Sequence, residues 1–146
     1  MDGTFLLLLH SILRYVILLL VAAAIIFSFR GVILRTPLLN GHRMITVMAV
    51  AVAHIQLFLG LILYIMRGWY QAPTDTRLGI FWKFEHIASM ILAIALITIG
   101  RVLSKKAKTE YKKQLLVGIF FLIALLLMLM ATPWPFREVG FGRGWI

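Results

Sequence analysis

The chain has 146 residues, 62% of them apolar, and sets 15 Lys and Arg against 5 Asp and Glu. A water-soluble domain of this length needs far more polar surface to cover its core. The absence of cysteine excludes covalently attached c-type haem, thiolate iron–sulfur ligation and disulfides, so a redox cofactor would have to be held by His or Met.

The apolar residues fall into blocks that can be measured against a bilayer, whose hydrocarbon takes about 20 residues of helix to cross. The first block covers residues 5–29. No basic segment precedes it and no small-residue cleavage site closes it, so it is expected to be a retained helix rather than a signal. Gly31 and Pro37 close that region, and Asn40-Gly41 is expected to turn the chain into a second block at 44–66. Residues 67–78 contain Gly68, Pro73, Asp75 and Thr76 and read as a loop, flanked by Trp69, Tyr70 and Trp82, which suit the headgroup belt. The third block is 81–103. A short basic turn at 105–113 leads to the fourth, 115–131, which is short enough to need help from Lys112 and Lys113 snorkelling. Pro133 and Pro135 then end helix formation, and the glycine-containing tail 132–146 is expected to lie along the surface. The expected fold is all-α, an integral membrane four-helix bundle of up-down-up-down topology forming a single domain over 1–146.

The positive charge follows this topology, which removes the case for a nucleic-acid partner. Arg30, Arg35, Arg43, Arg101, Lys105, Lys106, Lys108, Lys112 and Lys113 crowd one side. The other side holds Arg67, Arg77, Lys83, Arg137 and Arg143, nearly cancelled by Asp2, Asp75, Glu85 and Glu138. The positive-inside rule puts the first side in the cytoplasm and both termini outside.

Polar residues within spanning helices are costly and are read as functional by default. His10 and His86 each lie about five residues, ~8 Å, inside the outer end of their helices. The first and third helices of such a bundle face each other across the core. Two imidazoles level on facing helices can ligate one iron from opposite sides, as in a b-type haem. Ser89 and Ala93 would leave room for a macrocycle. Gln56, Gly60 and Tyr64 share a stripe on the second helix. Gly60 admits either a flat ligand or a neighbouring helix.

Arg14, one turn deeper than His10, is expected near the bilayer midplane. It calls for an anion such as a haem propionate, or for a neutral partner such as a helix-end carbonyl or Gln56. Lys83, Arg77 and Arg67 would instead draw propionates outward. His54 is deeper still, mismatched with His10 and His86, and reads as a core or subunit-interface residue, with a quinone or proton role as the other option. His42 is expected in an exposed loop. Glu85 is read as a headgroup-level charge near Lys83, and Met90 as core. The fourth helix contributes no polar residue and reads as scaffold.

These residues resemble small four-helix bacterial membrane proteins of the cytochrome b type. The likeness is carried by Leu9-His10-Ser11-Ile12-Leu13-Arg14-Tyr15, Ala53-His54-Ile55-Gln56-Leu57, Gly60-Leu61-Ile62-Leu63-Tyr64, Glu85-His86, Thr98-Ile99-Gly100-Arg101 and Pro133-Trp134-Pro135-Phe136. The chain is also similar, more loosely, to one half of haem A synthase, with His10, Gln56, Gly60 and His86 in matching places. Only one such half is present, and the synthase activity is not carried over.

The resemblance implies cytochrome character and a bacterial inner-membrane setting more than any reaction; with the paired histidines, the expectation is a haem b electron carrier or small respiratory-complex subunit rather than a stand-alone enzyme. His10 and His86 would be the axial ligands. A haem near one face cannot carry electrons across a ~30 Å core, so a quinol or a neighbouring redox subunit is the expected partner. The other readings are a haem-free structural or assembly subunit, and a quinone-site protein centred on Arg14, His54 and Gln56.

Overall fold

The structure, a computed structural model, describes residues 3–142 and 144–145; Asp2 and Arg143, counted among the charges above, lie outside the described residues. Four helices are long and apolar enough to cross a membrane: α1 (Thr4–Leu34), α2 (Asn40–Met66), α3 (Arg77–Lys106) and α4 (Glu110–Ala131). They run up-down-up-down, and each packs on its neighbours in the cyclic order α1–α2–α3–α4. The helices α1 and α3 are therefore diagonal. The α3–α4 seam is the most extensive and the α2–α3 seam the thinnest.

In lipid, hydrophobicity cannot tell an inward face from an outward one, so seams are set by small residues that let helices approach. Here Ala49, Ala53, Ala93 and Ala124 are completely buried beside Val21, Ile97 and Phe121, whereas Leu19, Ile26, Phe58, Ile65 and Met130 are turned outward. At one end, called end A below, α1 and α3 begin and α2 and α4 finish. End B carries the α1–α2 and α3–α4 connections.

Three helices begin earlier than the apolar blocks suggest, because their first turns carry charged or polar residues that an apolar block leaves out. Asn40 and Gly41 belong to α2, and the turn comes before them, at Arg35, whose φ is 51°. Helix α3 starts at Arg77, with the Thr76 hydroxyl accepting from the Gly79 N–H at 3.1 Å. Helix α4 starts at Glu110 behind a Thr109 cap, so it has 22 residues and needs no snorkelling to span. Its first turns also contain Gln114, 1% exposed, whose side chain donates to the Thr36 carbonyl at 2.8 Å and fills the space beside Gly31. The fourth helix is thus not free of buried polar groups. His42 is likewise not a loop residue: it sits in the first turn of α2, half-buried, its ring stacked on Phe27 at 4.7 Å.

Candidate functional site

Near end A the bundle encloses a cavity of about 300 Å³ to which all four helices contribute. His10, Ser11 and Arg14 reach it from α1, Gln56, Gly60 and Tyr64 from α2, and His86 and Met90 from α3. Met128 and Thr132 close it from α4 and its end. Most of the wall is apolar, with a few convergent polar groups, which is the usual make-up of a ligand pocket.

His10 is half-buried and packs edge-on against Gly60: a Cβ built at that glycine would lie 3.1 Å from the imidazole Cε1. The ring stands where it does because α2 offers no side chain there. One turn before Gly60 in α2, the Gln56 amide donates to the His10 carbonyl at 2.8 Å and pins the α1 backbone at this level. The His10 Nδ1 and the Gln56 Oε1 are buried without hydrogen-bond partners. Such atoms are uncommon in proteins and point to a group that completes them.

His86 is held more firmly. Its Nδ1–H donates to the Ala131 carbonyl at 2.8 Å, which leaves Nε2 with the free lone pair. That carbonyl is available for a reason written in the sequence. Within a continuing helix its donor would be the N–H of residue 135, which is a proline and has none. The same logic applies two residues earlier, where Pro133 cannot serve the Leu129 carbonyl and the Trp134 indole donates to it instead, at 2.8 Å. The fourth helix is therefore more than scaffold: its end orients a site histidine. The Pro-Trp-Pro segment terminates α4 and supplies that orientation together.

Helix α3 widens to a π-helical turn at Phe81–Glu85, immediately before His86. Inserted π turns re-aim the side chains that follow and recur at functional sites. Here the turn brings Phe81 and Trp82 against the imidazole, at 5.8 and 5.5 Å between ring centroids. Trp82 also stacks on Trp69 at 5.0 Å, and both indoles line the cavity. These two tryptophans wall the mouth of the site rather than serving only as a headgroup belt. Tyr70 remains exposed, and Glu85 pairs with Arg77 at 2.5 Å rather than with Lys83.

Arg14 follows His10 by one turn of α1, about 6 Å further toward end B. The tail reaches it there. The Trp145 carbonyl accepts from the Arg14 guanidinium and from the Tyr15 hydroxyl, each at 2.5 Å, and Gly144 lines the cavity. Gly144 and Trp145 thus meet the site itself, whereas the residue pattern predicts a tail lying along the surface.

The structure brings His10, His86, Arg14, Gln56 and Gly60 together around one space. It does not bring His54, which faces outward from α2 and donates from Nδ1 to the Val50 carbonyl of its own helix at 2.8 Å. The expectation of a core residue is corrected: on α2 the wall is built by Ala53, Gln56, Leu57 and Gly60, and position 54 falls on the other face. Among the described residues there is no cluster of three or more His, Cys, Asp or Glu able to hold a bare metal ion.

Set against protein-family models, curated proteins and solved structures, the chain matches none of them. The functional reading therefore rests on the geometry of the cavity. The residue pattern does not single out the Ala131 carbonyl or the π turn, and it marks Trp69 and Trp82 only as headgroup-belt aromatics. Of these, only the carbonyl left a readable signal, the prolines placed four residues beyond Leu129 and Ala131.

Proposed function

We propose that this membrane protein binds haem b between His10 and His86 and works as an electron carrier, by itself or as the small cytochrome b subunit of a larger complex. The observation that carries the reading is the meeting of two imidazoles from diagonal helices in one apolar cavity, His86 with its Nδ1–H already committed to a carbonyl. Histidines that ligate metals commonly donate their other ring N–H in this way, which fixes the tautomer and the ring direction.

The donor set argues for a macrocycle over a bare ion. Two imidazoles leave a zinc or copper ion short of ligands. An iron that brings its own equatorial nitrogens needs only the two axial positions. Haem b, when bound, supplies one-electron chemistry, and the rest is the protein's contribution. Gly60 and the Gln56 amide set the place of His10, and the Ala131 carbonyl sets that of His86. Phe81, Trp69 and Trp82 exclude water, which tunes the potential of any redox centre they surround. The resemblance of the sequence to cytochrome b-type membrane proteins agrees with this reading. A quinol or an adjacent redox subunit is proposed as partner.

The test is a visible spectrum of protein purified from haem-replete cells. A Soret band with sharp α and β bands on reduction is expected, lost in both His10→Ala and His86→Ala. A folded but colourless preparation would turn the assignment toward a haem-free assembly subunit.

A further inference from the structure

Arg14 pairs with no acidic side chain among the described residues; its guanidinium lies over the Tyr15 and Trp134 rings, 4.8 and 5.6 Å from their centroids. Its guanidinium donates to a tyrosine hydroxyl, Tyr15 at 3.1 Å, and to the Trp145 carbonyl, both neutral. The two ion pairs among the described residues, Arg77–Glu85 and Lys113–Glu110, do not involve it. Its Nε is buried without a hydrogen-bond partner, and the side chain lines the cavity. An arginine within a membrane-spanning helix is expensive to hold as a lone cation, and a buried charge is ordinarily met by an opposite one.

The other cations near the mouth are differently placed. Arg77 is paired with Glu85, and Lys83 donates to the Ala72 carbonyl at 3.4 Å. Arg67 also lines the cavity but is exposed, so water can solvate it. Arg14 alone of these combines a cavity-lining position with a buried, unsatisfied N–H.

We infer that the ligand held between His10 and His86 carries a carboxylate and that Arg14 receives it. This rests on the haem reading, in which the carboxylate is a haem propionate directed toward Arg14 rather than outward to Arg67. Charge-assisted hydrogen bonds of guanidinium to carboxylate are among the stronger polar contacts, so the preference for the acid should be measurable.

The experiment titrates haem-free protein with iron protoporphyrin IX and with its dimethyl ester, which has the same ring and axial chemistry but no charge. Wild-type protein is expected to bind the diacid about tenfold more tightly than the ester. Arg14→Gln should weaken the diacid by about that factor and leave the ester unchanged, whereas Arg67→Gln should preserve the preference. A merely structural role for Arg14, through its hold on the tail, would weaken both compounds alike and overturn the inference. Equal binding of the two by wild-type protein, or loss of the preference in Arg67→Gln, would overturn it too. Failure of both macrocycles to bind wild-type protein with a bis-imidazole spectrum would instead count against the haem reading itself. The wild-type comparison stands even if Arg14→Gln fails to fold.

Discussion

The two sides of α3 are built on opposite principles. Toward α4 it is closed: Ala93, Ile97 and Phe121 are completely buried, and Gly100 lets the Phe120 side chain come so near that an added Cβ would sit 2.5 Å from the phenylalanine Cβ. Toward α2 the contact thins, and the space between holds imidazoles, an amide and a guanidinium. Lipid gives no hydrophobic push that would shut such a gap, so a seam closes only where small residues permit close packing. Glycine thus has two uses in this bundle. Gly100 admits a neighbouring helix, whereas Gly60 admits a single imidazole.

The sharpest way to break that contrast is Gly100→Ala. The atom it meets is a Cβ fixed to the α4 backbone, which cannot swing aside, so the helices must separate. Overpacking of this kind costs about 1–3 kcal/mol. Unfolding of the variant in detergent should show a loss of that size, while the haem spectrum of the folded fraction stays that of the parent. Unchanged stability would mean that the α3–α4 seam is looser than its geometry indicates.

The spans were readable because a bilayer imposes length and apolarity together, and His10 and His86 because imidazoles are conspicuous among leucines. What stayed hidden has a common cause. When both faces of a helix are apolar, hydropathy does not reveal its rotation, so His54 could not be separated from Gln56 by composition, although one is turned outward and the other lines the cavity. Gln114 falls between the basic turn at 105–113 and the apolar block that starts at 115, so hydropathy places it in neither. The π turn at Phe81–Glu85 has no sequence signature of which we can make use. The acceptor for His86 is a backbone carbonyl, visible only by asking which N–H groups Pro133 and Pro135 remove. The return of the tail to Arg14 is a contact across 131 positions of chain, beyond any local pattern.

Gly60→Ala tests the other use of glycine and should give a smaller effect of a different kind. Its added Cβ would lie 3.1 Å from the His10 Cε1, so the ring must yield by a few tenths of an ångström. Stability should stay within about 0.5 kcal/mol of the parent. Haem affinity, measured by transfer to a competing apoprotein, should fall several-fold, with a shift in the reduced α band. A variant that loses stability but keeps its haem affinity would make Gly60 a packing glycine like Gly100 and dissolve the distinction.

The smallest effect is expected at His54, outside both seams. Its Nδ1–H bonds to the Val50 carbonyl, which in α2 also accepts the backbone N–H of residue 54, so removing the ring leaves that oxygen satisfied. His54→Leu places an aliphatic side chain on a face already made of Ile55 and Phe58, both exposed. Stability should change by no more than about 0.5 kcal/mol, with spectrum, haem content and co-purifying quinone as in the parent. Loss of bound quinone in this variant, with haem intact, would show that the cavity is not the whole of the functional surface. A second site would then lie on the outward face of α2, away from both seams.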